Sequence, residues 1–138
     1  MRVRRGRPAL ALVAILLVPA PAWGEAATGP LHASIICEAP AAPGRFRCDV
    51  EARVSGATLS WGDVVVVKAD DFILPLRGRL GPRDASAHDA DIYRWSLGFV
   101  AKGAGSGDVT VRVRGVVCHG AACEPVTVDV SGHVVVGR

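Results

Sequence analysis

Residues Val109 to Val130 read VTVRVRGVVCHGAACEPVTVDV. Val109, Val111 and Val113 alternate with Thr110, Arg112 and Arg114, and Val126, Val128 and Val130 alternate with Thr127, Asp129 and Ser131. A period of two with one apolar and one polar face is the pattern of a strand buried on one side only. The two runs meet at a short Gly/Ala segment with Cys118 and Cys123 at its ends, so the stretch reads as a hairpin carrying a cysteine on each arm.

The same period recurs outward from it. In RFRCDVEARV, Phe46, Cys48, Val50, Ala52 and Val54 alternate with Arg47, Asp49, Glu51 and Arg53. In DIYRWSLGF, Tyr93, Trp95, Leu97 and Phe99 share a face opposite Arg94 and Ser96. The unbroken valine run of WGDVVVVKA is the composition of a strand covered on both sides. Gly/Pro clusters such as EAPAAPGR, VSGA and KGAGSGD punctuate these runs, and the longest stretch without a pattern, Leu76 to Asp89, is expected to be a functional or mobile loop. No segment after the first two dozen residues has a helical period. Six to eight short strands joined by frequent turns predict an all-β fold, an immunoglobulin-like antiparallel β-sandwich.

Residues 1–24 have a different character. MRVRRGR is a basic leader, PALALVAILLVPA an apolar core and PAWGEA a small-residue stretch suited to cleavage near Gly24, the three parts of a secretory signal peptide. Residues 25–138 then form one domain, expected in the periplasm. Setting aside Arg2, Arg4, Arg5 and Arg7 leaves 12 basic against 13 acidic side chains, net −1, with no cluster of cations among aromatics. Nucleic-acid binding is therefore not expected.

In an oxidising compartment four cysteines imply disulfides, with three possible pairings. Cys37 shares a predicted strand face with Leu31, Ala33 and Ile35, and Cys48 lies on the apolar face of the next strand, so these two read as a structural bridge. Closing that loop would contribute roughly 3 kcal/mol in the chain-entropy picture. Cys118 and Cys123 admit three readings: a second structural bridge, a metal clip with His119 and a distant His88 or His133, or a pair that opens and closes. The metal reading lacks the second ligand pair that zinc sites carry, so no metal and no cofactor is expected. The small residues around the pair leave its sulfurs open to an attacking thiolate, and Pro125 interrupts ladder hydrogen bonding beside Cys123, which favours redox exchange.

The hairpin with its Cys-x4-Cys pair and following proline resembles the end of the N-terminal periplasmic domain of DsbD-type thiol:disulfide interchange proteins. Asp91 to Leu97 looks like that family's acidic-Ile-Tyr-Arg strand, and Asp70, Asp71 and Phe72 look like its acidic, phenylalanine-bearing cap. The resemblance spans roughly residues 70–130. It implies a thiol–disulfide interchange component, a protein-disulfide reductase in activity, that takes electrons from a separate membrane thiol electron-transfer protein and passes them to oxidised, disulfide-containing periplasmic client proteins. By position, Cys123 would form mixed disulfides, Cys118 would resolve them, and Asp70, Asp71 and Phe72 would cover both. A secreted β-sandwich binding module with two purely structural disulfides is the alternative.

Overall fold

In a computed structural model, residues 14–15 and 23–138 are described. The described residues form ten strands: β1 (Trp23–Thr28), β2 (Leu31–Cys37), β3 (Gly44–Val54), β4 (Thr58–Ala69), β5 (Ile73–Pro75), β6 (Arg79–Leu80), β7 (Ala87–His88), β8 (Ile92–Ala101), β9 (Gly105–His119) and β10 (Ala122–Val136). One sheet runs β1-β2-β3-β8-β5, with β7 continuing along the same edge of β8 as β5. The other runs β10-β9-β4-β6, and all pairings are antiparallel. This is the all-β, immunoglobulin-like sandwich that the alternation predicts. The expected leader lies outside the described residues apart from positions 14–15 and 23–24. Trp23 and Gly24 already pair with Ile36 and Ile35, so β1 begins two residues before the expected boundary.

The inner faces are those read from the sequence. Leu31 and Ile35 of β2, Val50 of β3, Trp95, Leu97 and Phe99 of β8, and Val109, Val111, Val113 and Val117 of β9 are all essentially sealed from solvent. Phe99 stacks on Phe46 and Tyr93 on Trp95, each at 5.4 Å between ring centroids, in the offset range that favours aromatic pairs. Gly62 of β4 lies under the second pair. A Cβ there would come within 3.2 Å of both rings, so the backbone must approach bare.

Two expectations need correction. The valine run of β4 is not covered on both sides: Val64 is buried, Val65 and Val66 are half-buried and Val67 is exposed. A register shift between Val66 and Lys68 leaves Val67 as the extra, unpaired residue of a bulge, which breaks the alternation and turns it outward. The stretch from Leu76 to Asp89 is not an open loop either. It holds β6, a 3-10 turn over Pro82–Asp84, and β7. The Trp95 indole N–H donates to the Gly81 carbonyl at 3.1 Å, tying the segment to the core.

The outer face of the second sheet is laced by ion pairs between neighbouring strands. Asp63 of β4 is wholly buried beneath two arginines. Arg79 Nε donates to its Oδ2 at 2.7 Å, Arg114 Nε donates to its Oδ1 at 2.8 Å, and Arg114 Nη2 donates to Oδ2 as well. Arg112 and Asp129 pair next along the face, with Nε donating to Oδ1 at 2.8 Å. Burial alone would raise the Asp63 carboxyl, but the hydrogen bonds from Arg114 and Arg79 outweigh it and hold it below its ordinary 3.8. A carboxylate depressed on folding stabilises the protein at and above its ordinary value, and that contribution is lost as pH falls through the folded value.

Asp63→Asn is therefore expected to cost about 2 to 3 kcal/mol at pH 7, less than a fully buried pair because both guanidinium groups remain half in water. Denaturant unfolding at pH 7 and pH 3 is the check. The wild type should lose more stability than the variant between the two, and parallel losses would remove Asp63 from the acid transition.

Candidate functional site: the cysteine pair at the β9–β10 hairpin tip

Both cysteine pairs form disulfides, Cys37–Cys48 and Cys118–Cys123. In each, the two residues lie directly opposite one another on adjacent strands, with 4.0 Å between Cα atoms. They differ in the side of the sheet they occupy. Cys37 and Cys48 continue the inner rows of β2 and β3. Cys48 is fully buried, and Cys37 packs so closely against β10 that a Cβ on Gly132 would sit 3.0 Å from its sulfur. The pairing is the one expected from the sequence.

Cys118 and Cys123 lie on the outer face. Along β9 the inner residues are Val109, Val111, Val113, Gly115 and Val117, so Cys118 falls on the solvent side with Val116 and Arg114. Along β10 Cys123 shares the outer side with Pro125 and Thr127. A two-residue loop, Gly120-Ala121, joins the arms. Gly120 has φ +60° and no other residue of the loop has positive φ, as a type II′ hairpin turn requires. Cys123 is exposed, whereas Cys118 is only 7% exposed because β4 runs along its other side.

That neighbour contributes the groups nearest the sulfurs. Leu59 pairs with Val117 and Trp61 with Val116, so Ser60 is an extra residue bulged out between them. Its Oγ lies 3.5 Å from Cys118 Sγ and 3.3 Å from the Val116 carbonyl. Thr58, opposite Cys118, donates from Oγ1 to the Cys118 carbonyl at 3.5 Å. Trp61, Val116 and Pro125 form the next cross-strand row and give a partly apolar floor beside the disulfide. The nearest cation on this face, Arg114, is four residues along β9, roughly 13 Å at strand spacing, and is engaged by Asp63. Ser60 and Thr58 escape a motif search. The signal that finds Ser60 is a phase slip: Leu59, Gly62 and Val64 all face inward, which regular alternation forbids.

The expected cap is elsewhere. Asp70, Asp71 and Phe72 make the turn between β4 and β5, and β4 pairs with β9 so that Thr58 faces Cys118 while Ala69 faces Val109. The segment therefore lies beyond Val109, nine positions or roughly 30 Å from Cys118 along the strand. There it has structural work. Asp70 Oδ2 accepts the Asp108 N–H at 2.8 Å, and Phe72 is half-buried over the start of β9, where a Cβ on Gly107 would come 2.9 Å from its ring. The physical reason for the misreading is antiparallel pairing: it carries the end of β4 away from the hairpin tip. Asp70, Asp71 and Phe72 are not part of the cysteine site.

The histidines of the metal reading are dispersed in the same way. His88 stacks against Tyr93 at 4.5 Å, and His133 Nδ1 lies 2.8 Å from Asp108 Oδ1, at the far end of β10. Among the described residues no three His, Cys, Asp or Glu side chains gather as a metal-binding group.

Phe72→Ala is expected to lower stability by roughly 2 kcal/mol, as truncation of a half-buried aromatic does, and to leave the alkylation rate of reduced Cys123 unchanged. Thermal unfolding and timed alkylation read by mass spectrometry check the two halves. Faster labelling without loss of stability would return Phe72 to the site. Comparison of the chain with family models, curated proteins and solved structures finds no match.

Proposed function

We propose that the chain is a periplasmic thiol–disulfide exchange domain that relays reducing equivalents through Cys118 and Cys123, from a membrane thiol electron-transfer protein to oxidised periplasmic proteins. One observation carries the reading: of two disulfides with the same cross-strand register, one lies on the inner face with Cys48 fully buried and Cys37 half-buried against β10, and the other lies on the outer face at a hairpin tip with Cys123 exposed. Exchange requires an attacking thiolate to approach along the S–S axis, and exposed Cys123 of the outer pair offers the more open approach. The unequal exposure of its two sulfurs supports a division of roles. Cys123 accepts the incoming thiolate, and Cys118, shielded by β4, is released and later resolves the mixed disulfide.

With Asp70, Asp71 and Phe72 at the far end of β9, nothing in the reading depends on a cap. Selectivity then rests on the surface around Cys123, its apolar floor of Trp61, Val116 and Pro125. Among the described residues no cation lies beside the pair, so it is suited to protein partners that dock rather than to unassisted attack.

A second reading, a secreted binding module with two structural disulfides, draws on the shared register, since both bridges sit as rungs of a hairpin ladder. Glutathione disulfide separates the two. Given to the reduced Cys118→Ser protein with Cys37–Cys48 intact, it should leave one stable glutathione adduct on Cys123. The reduced wild type should lose that adduct as Cys118 closes the ring. An adduct that persists in the wild type, or equal adduct formation on Cys118 in a Cys123→Ser variant, would favour the structural module.

A further inference from the structure

We infer that the Ser60 hydroxyl, presented by the β4 bulge, positions and stabilises the Cys118 sulfur as the departing thiolate when the outer disulfide is reduced. The inference rests on the exchange reading and assigns to that site a residue outside the cysteine motif.

The electron bookkeeping requires a place for charge on Cys118. A thiolate of a dithiol protein attacks Cys123 Sγ. A bond forms between the donor sulfur and Cys123 as the Cys118–Cys123 bond breaks, and the electron pair of that bond leaves on Cys118 Sγ. The donor's second thiolate then attacks the donor sulfur of the mixed disulfide, closing the donor's own disulfide and releasing Cys123. Two protons from solvent complete the dithiol, so the donor gives up two electrons and the pair gains them. The negative charge thus appears first on the less exposed sulfur, where water solvates it least.

Ser60 is the side-chain donor placed to meet it. A disulfide sulfur has no proton, so in the 3.5 Å contact between Ser60 Oγ and Cys118 Sγ only the hydroxyl can donate. The same hydroxyl has a second acceptor in the Val116 carbonyl at 3.3 Å. A neutral disulfide sulfur accepts weakly, so the carbonyl holds the proton while the pair is oxidised. A thiolate is the stronger acceptor, and rotation about the Cβ–Oγ bond alone transfers the hydrogen bond to it. The bulge supplies the geometry. In a regular ladder residue 60 would oppose a β9 residue, whereas the slip between Leu59 and Trp61 leaves it unpaired and turned to the outer face beside Cys118.

A merely structural Ser60 would affect stability and leave the thiol's titration alone, so the test is the titration. In a Cys123→Ser background with Cys37–Cys48 closed, the pH dependence of Cys118 alkylation gives its pKa without any exchange partner. Ser60→Ala should raise that pKa by about half to one unit, and Ser60→Thr should restore it. In the otherwise native protein, Ser60→Ala should slow reduction of the outer disulfide by dithiothreitol about threefold at fixed pH, because a more basic thiolate leaves more slowly. An unchanged titration, or a shift that Ser60→Thr fails to reverse, overturns the role of Ser60. Failure of the exchange reading shows separately, as a glutathione adduct that the wild type does not resolve.

Discussion

The register of the β9–β10 hairpin is the constraint on which the site depends. Val111, Val113 and Val117 of β9 and Val128, Val130 and Val134 of β10 must all face the core, and in a strand with a side-chain period of two only one phase achieves this. A slip of one residue on either arm would expose that arm's valines and bury charged groups such as Arg112 or Asp129. The hydrophobic effect, summed over two 15-residue strands, therefore fixes both cysteines on the opposite side of the sheet from the core and directly across from each other. The type II′ turn at Gly120 closes the hairpin without disturbing that phase.

The same rule applied to β2 and β3 gives the opposite result. Their inner rows, from Leu31 to Cys37 and from Phe46 to Val54, include the cysteines, so the first disulfide is built into the core. Two bridges of the same topology thus lie on opposite faces, inner and outer, set by the phase of the strands that carry them. The ion-pair lattice on the outer face, centred on the buried Asp63 carboxylate, holds β4 against β9 and β6. It keeps Ser60 and Thr58 beside Cys118 without placing a positive charge on the sulfurs.

Much of this was legible in the sequence, because alternation and turn composition are local. The strands carrying Cys37, Cys48, Cys118 and Cys123, the faces of Tyr93 to Phe99 and the sandwich class all follow from period two. What failed was non-local or depended on a single inserted residue. Whether Phe72 meets the cysteines depends on which end of β4 adjoins the hairpin tip, and no pattern within Asp70 to Phe72 encodes that. The bulge at Val67 adds one residue to an apolar run, and that at Ser60 inserts a polar residue between Leu59 and Trp61 that mimics regular alternation, so each stretch reads as regular while the backbone reverses its faces. The segment from Leu76 to Asp89 lacks period because its strands are two residues long and are held by contacts such as that of Trp95 with Gly81.

The central claim, that strand phase makes one disulfide exchangeable and the other inert, is tested most directly by equilibrating the oxidised protein across a graded series of thiol–disulfide buffers. Alkylation and peptide mapping then report each pair, and circular dichroism reports the fold. The account predicts a range of buffers in which Cys118 and Cys123 are fully alkylated, Cys37–Cys48 stays closed and the sandwich remains folded. Opening of all four cysteines together with loss of structure, or of Cys37–Cys48 first, would contradict it.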